Sequence, residues 1–160
     1  MRALLLENIH PDGAAALEKA GFVVETEDRA LEGEELAARL EGVNVLGIRS
    51  KTQVTAAHLR EADSLLAVGA FCIGTDQIDL SAAADTGIAV FNAPYSNTRS
   101  VVELALAEVI ALTRGLVQKN TMMHEGVWDK SAAGAHEVRG RALGIVGYGN
   151  IGAQLSVLAE

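Results

Sequence analysis

The chain has 160 residues, of which 49% are hydrophobic, 21% charged and 4% aromatic, and its formal net charge is −8. These values allow one domain or a little more around an aliphatic core, and they exclude a disordered chain and a basic nucleic-acid-binding face. One cysteine, Cys72, excludes an internal disulfide and a cysteine-built zinc site; with no apolar run near the ~20 residues of a membrane span, a metal-free, soluble, cytoplasmic protein is expected.

Residues 1–7 lack the long apolar stretch of a signal peptide, and Ala3 to Leu6 reads as a first strand. Pro11 suits a first helical turn, and Gly21 closes that helix. Phe22 to Thr26 reads as a strand, Glu34 to Leu40 as a short helix ended by Gly42, and Val43 to Ile48 as a third strand. Thr55 caps a helix through Ala62, and Leu65 to Val68 follows as a fourth strand. Asp79 caps a helix that stops at Gly87, and Ile88 to Phe91 is the fifth strand. Strands that are continuously apolar and separated by helices imply a parallel sheet covered on both faces. After Pro94 the rhythm changes to a long helix, Thr98 to Arg114, in which Ser100 and Glu103 have capping-box spacing. Its charges between Val101 and Leu112 are Glu103 and Glu108 alone, so burial on several sides is expected. A second sheet begins at Ala142 to Val146, followed by glycines and a last helix. The expected fold is therefore α/β: a parallel-sheet domain over 1–95, then the beginning of a second domain over 96–160.

Four stretches carry chemistry. Gly147-Tyr148-Gly149-Asn150-Ile151-Gly152 follows a strand and opens a helix, the context that a dinucleotide fingerprint needs. Gly147 permits the tight turn, Gly149 the approach of a pyrophosphate, and Gly152 close helix–strand packing. Arg49-Ser50-Lys51-Thr52, at the carboxyl end of the third strand, offers a guanidinium, an ammonium and two hydroxyls to a carboxylate or phosphate; an ordinary solvated loop is the alternative. Gly69 to Gly74 could form a nest of amides or a plain turn. Asn92 to Thr98 contains capping residues at a helix N-terminus that would also seat an anion. His10, His58, His124 and His136 show no acid partner that marks a general base, and Cys72 reads as a packed thiol.

Arg49-Ser50-Lys51-Thr52, the run from Phe71 to Asp79, the run from Phe91 to Val101, Gly126-Val127-Trp128, Arg139-Gly140 and the glycine fingerprint together resemble the N-terminal portion of the D-isomer-specific 2-hydroxyacid dehydrogenases. The resemblance covers essentially the whole chain, and is nearest to members that act on 3-phosphoglycerate. It implies a flavodoxin-like parallel-sheet domain over 1–95 followed by the start of a Rossmann domain over 96–160, with NAD as cofactor, a small anionic 2-hydroxy acid as substrate, and a homo-oligomer formed through helix 98–114. It assigns substrate contacts to Arg49, Ser50, Asn97 and the loop amides around Phe71 and Cys72. It assigns the cofactor to Gly147, Gly149, Asn150, Ile151 and Gly152. The arginine, glutamate and histidine that carry out proton and hydride transfer in the family have no counterpart among these residues. A fragment inactive by itself is expected, with a non-catalytic anion-binding or dimerisation module, or part of a glyoxylate or hydroxypyruvate reductase, as alternatives.

Overall fold

The apolar run Ala3-Leu4-Leu5-Leu6 is buried throughout and builds the middle of a sheet. In the computed structural model, which describes residues 1–160, β1 spans Arg2–Leu5. There follow α1 (Pro11–Lys19), β2 (Val23–Thr26), α2 (Gly33–Leu40), β3 (Val45–Ile48), α3 (Ala56–Glu61), β4 (Ala67–Ala70), α4 (Leu80–Thr86) and β5 (Ala89–Asn92). The strands are parallel, in the order β2-β1-β3-β4-β5. This is the flavodoxin-like order, whose switch point lies between β1 and β3. Leu4, Leu46, Ile48 and Val68 join Leu36, Leu40, Leu59 and Ala82 of the helices in one core.

The fourth strand lies two residues later than its apolar run suggests. Leu65 is buried in the turn, its amide bonded to Ala62 O, and the ladder begins only where Ala67 meets Val45. The edge strand β2 is largely exposed and lined with charge. Arg2 pairs with Glu25 (2.8 Å), and Arg39 reaches both Glu25 (3.5 Å) and Glu27 (3.6 Å). Such an edge resists pairing with another sheet.

Local capping sets the helix ends. The Ala82 amide donates to Asp79 Oδ1 (2.9 Å) at the start of α4, and Gly87, at φ +75°, ends it. Thr55 and His58 form a capping box at the start of α3, with the Thr55 amide donating to His58 Nδ1 (3.2 Å).

The chain divides into two compact units, Met1–Ser96 and Asn97–Glu160. The second contains α5 (Thr98–Arg114), α6 (Leu116–His124) and α7 (Asn150–Leu158), with α5 packed against α7. Gly115, at φ +61°, ends α5 and lets α6 start in a new direction, a helix that the sequence pattern does not announce. Three expectations fail here. Ala142 to Val146 forms no strand, because no other strand of this unit lies beside it to complete a ladder. Ser100 and Glu103 form no capping box: Asn97 is the N-cap, and Glu103 turns instead to Arg99 Nε (2.6 Å). Nor is α5 buried on several sides, since only Thr98 and Val102 are buried along it. No helix is long and apolar enough to cross a membrane.

Candidate functional site

The carboxyl ends of β1, β3 and β4 meet at one edge of the sheet, on either side of the switch point, where ligands bind in open parallel sheets. The register pairs Ile48 with Ala70, so Arg49 and Phe71 begin their loops side by side, and the Phe71 amide donates to Ile48 O (2.7 Å). Arg49, Ser50 and Lys51 are exposed at this edge. Thr52 is not part of the exposed set: its side chain is fully buried, and its hydroxyl has no hydrogen-bond partner.

Two residues that the sequence pattern does not single out hold this edge together. Glu7 and Asn8 leave β1 in the left-handed region (φ +62° and +53°), which brings the Glu7 carboxylate under the loop that follows β3. Glu7 is buried. Its Oε1 accepts from the amides of Arg49 (3.1 Å) and Thr52 (2.9 Å), and its Oε2 from that of Lys51 (3.0 Å). Burial pushes the carboxyl up, but hydrogen bonds from Thr52, Lys51 and Arg49 outweigh it and hold Glu7 below the ordinary carboxylate range. Gln77, also buried, points its Nε2 at Arg49 O (2.7 Å), Cys72 Sγ (3.3 Å) and Gly74 O (3.4 Å).

Phe71 is partly exposed, and its ring is anchored against the sheet. A Cβ added at Gly47, Gly69 or Gly13 would come within 3.1, 3.4 and 3.4 Å of that ring, and Gly47 and Gly69 face each other across β3 and β4. Three glycines thus make a flat seat for one aromatic side chain. The Phe71 amide is committed to Ile48, and the run of loop amides that make no hydrogen bond within the chain begins after it with Cys72, Ile73 and Gly74. Successive free amides of this kind attract an anion. The Cys72 thiol donates to Gly74 O (3.2 Å), as a packed thiol would.

In the second unit, Asn97 is exposed and makes no side-chain capping bond. Gly147 stands at φ +91°, and a Cβ at Gly147 or Gly149 meets nothing within 4 Å. A Cβ at Gly152, by contrast, would collide with Gly147 O. Asn150 and Ile151 open α7, and no side chain caps its first amides. Open space over two glycines, tight packing at the third and uncapped amides fit the pyrophosphate of a dinucleotide. The structure thus brings Arg49, Ser50, Phe71 and Cys72 together in the first unit and Gly147 to Gly152 together in the second. The side chains of His10, His58 and His124 serve local structure, and His136 contributes its backbone amide. His10 accepts from the Asp12 amide (3.3 Å), His58 closes its capping box, His124 Nδ1 lies 2.9 Å from Asn120 O, and the His136 amide donates to Thr113 O (2.8 Å).

Residues 3–151 match the D-isomer specific 2-hydroxyacid dehydrogenase catalytic domain. The chain is 50% identical to D-3-phosphoglycerate dehydrogenase of Haemophilus influenzae, an alignment covering 100% of this chain and 39% of that protein. It is also 50% identical to D-3-phosphoglycerate dehydrogenase 1 of Saccharomyces cerevisiae, covering 100% of this chain and 34% of the relative. Among solved structures, the TT0316 protein from Thermus thermophilus superposes with a TM-score of 0.89 at 28% identity, covering 99% of this chain and 52% of that one. NAD-dependent formate dehydrogenase from Staphylococcus aureus, solved in complex with NAD, gives 0.80 at 26% identity, covering 99% and 53%. The chain therefore spans well under half the length of these curated relatives. With the family match over nearly its whole length, and a flavodoxin-like sheet followed by a glycine-rich turn and helix, the chain belongs to the D-isomer specific 2-hydroxyacid dehydrogenase family.

Proposed function

We propose that these residues supply the substrate-anion subsite and the pyrophosphate loop of an NAD-dependent D-3-phosphoglycerate dehydrogenase. That cytoplasmic enzyme oxidises 3-phosphoglycerate to 3-phosphohydroxypyruvate in serine biosynthesis. The observation that carries the proposal is the juxtaposition of exposed Arg49 and Ser50 with the free amides of Cys72, Ile73 and Gly74 at the switch-point edge. The two curated relatives of that name, aligned along the whole chain, support the choice of substrate.

In this reading Arg49 binds an anionic end of the substrate by charge-assisted hydrogen bonds, and Ser50 adds a donor. The loop anchored by Phe71 cradles the carboxylate with its amides. Gly147, Gly149, Asn150, Ile151 and Gly152 would hold the pyrophosphate of NAD. When bound, NAD supplies the nicotinamide ring that accepts hydride from C2 of the substrate. The chain's own residues bind and orient. Proton abstraction at C2 is not assigned to any of these residues.

Titration of the chain with 3-phosphoglycerate, followed by NMR, is the test. Arg49→Ala should weaken binding roughly tenfold or more, the loss expected for one charge-assisted contact, and leave NAD binding unchanged. Equal weakening of both ligands would make Arg49 structural and overturn the assignment.

A further inference from the structure

We infer that Glu7 and Gln77 are positioning residues that clamp the Arg49 peptide from its two sides and so fix where its guanidinium stands. The inference rests on the substrate-anion reading of the same edge, and deepens it. Arg49 is exposed and its guanidinium has no ion-pair partner in the chain, so only its backbone is tied down. Its amide donates to Glu7 Oε1 (3.1 Å), and its carbonyl accepts from Gln77 Nε2 (2.7 Å). A long side chain swings about its Cα, and an anion site built on a loose loop loses geometric precision.

The two clamps have opposite polarity, and each matches what it grips. Glu7 is acceptor-only and meets three N–H groups, those of Arg49, Lys51 and Thr52. Gln77 turns its NH2 towards the carbonyls of Arg49 and Gly74, and so ties the loop after β3 to the loop after β4. The halves of the proposed subsite are thereby held in register. Glu7 has a second consequence. Amides at 49, 51 and 52 would otherwise form an anion nest of their own. With Glu7 filling that nest from inside, a substrate anion is left the Arg49 and Ser50 side chains and the free amides at 72–74. The left-handed backbone of Glu7 agrees with this, because a residue other than glycine holds that conformation only where its surroundings enforce it.

The test uses the 160-residue chain with two near-isosteric changes of polarity, Glu7→Gln and Gln77→Glu. Amide exchange by NMR is read at Arg49, Lys51 and Thr52, with the Ala82 amide on Asp79 as the internal control. In Glu7→Gln the three loop amides should exchange roughly tenfold or more faster, while Ala82 keeps its rate. Both variants should weaken 3-phosphoglycerate binding by a similar factor, and adding Arg49→Ala to either should cost less than it does alone, as for coupled residues. Unchanged exchange at 49, 51 and 52, or acceleration shared equally by Ala82, overturns the clamp. If Glu7→Gln does not fold, Gln77→Glu decides the matter by the same comparison at Arg49. If the unaltered chain binds no 3-phosphoglycerate, or Arg49→Ala binds it equally well, the substrate reading falls, and the exchange rates then judge the clamp by themselves.

Discussion

A buried carboxylate surrounded by amides ties stability to pH in a direction that can be worked out. In the folded chain Glu7 sits below its ordinary value of 4.5, so it binds a proton less readily than in the unfolded chain. Its stabilisation is fully present above about pH 4.5 and is lost as pH falls through the lower, folded value. Glu7→Gln should destabilise the first unit by about 1.5–3 kcal/mol at neutral pH, the worth of a hydrogen bond to a charged group. It should also flatten the loss of stability below about pH 4.5; denaturant melts near pH 7 and about pH 3.5 check both. The fingerprint glycines separate packing from binding. Gly149→Ala meets open space and should leave the thermal transition in place while weakening NAD, whereas Gly152→Ala drives a Cβ into Gly147 O and should lower the helical signal of α7 in circular dichroism. The glycine pattern is legible in the sequence through its short spacing, while Arg49 stands out only as a cation at a strand end, its proposed role coming from the family resemblance. Glu7 and Gln77 are not legible, because Glu7 meets partners 42 to 45 positions away and Gln77 meets Arg49 across 28.

Among the elements, α2 and α3 are joined through one ring. His58 Nδ1 receives the Thr55 amide at the start of α3, and its Nε2 lies 3.1 Å from Gly33 O at the start of α2. With Nδ1 accepting, Nε2 carries the proton and donates to Gly33 O. His58→Ala removes both bonds and leaves a buried gap, so it should cost about 2–4 kcal/mol, measured by chemical denaturation. His58→Gln, which keeps one of the two polar contacts, should cost less. The five strands and four helices of the first unit are legible from apolar runs and breakers, because helices cover a parallel sheet on both faces and its central strands must be apolar throughout. Boundaries are less so: Leu65 is apolar because the turn is buried, not because a ladder has begun. The segment Ala142 to Val146 fails for a related reason. Its composition suits a strand, but strand formation belongs to a pair.

At the scale of the whole molecule, association is decided by apolar area against charge. Along α5, Leu104, Ile110 and Leu112 are exposed, and Leu116 and Val117 of α6 extend the same kind of surface within the second unit. Val146 and Val157 add more. If a partner covered a few hundred Å2 of this surface, the gain at ~25 cal/mol per Å2 would be on the order of 10 kcal/mol before the cost of association. Opposing it is the repulsion between two chains of formal charge −8. At physiological ionic strength charges are screened beyond about 8 Å, so the repulsion is spread thinly while the apolar term acts at contact. The apolar term should win. The 160-residue chain should therefore sediment as a dimer or larger species at micromolar concentration, more so as salt is raised. Leu104→Glu combined with Leu112→Glu should shift it towards monomer without touching the core of the first unit, whose cooperative melt should persist. A chain that remains monomeric in high salt, or a double variant that associates as strongly as the original, would show that α5 is not the contact.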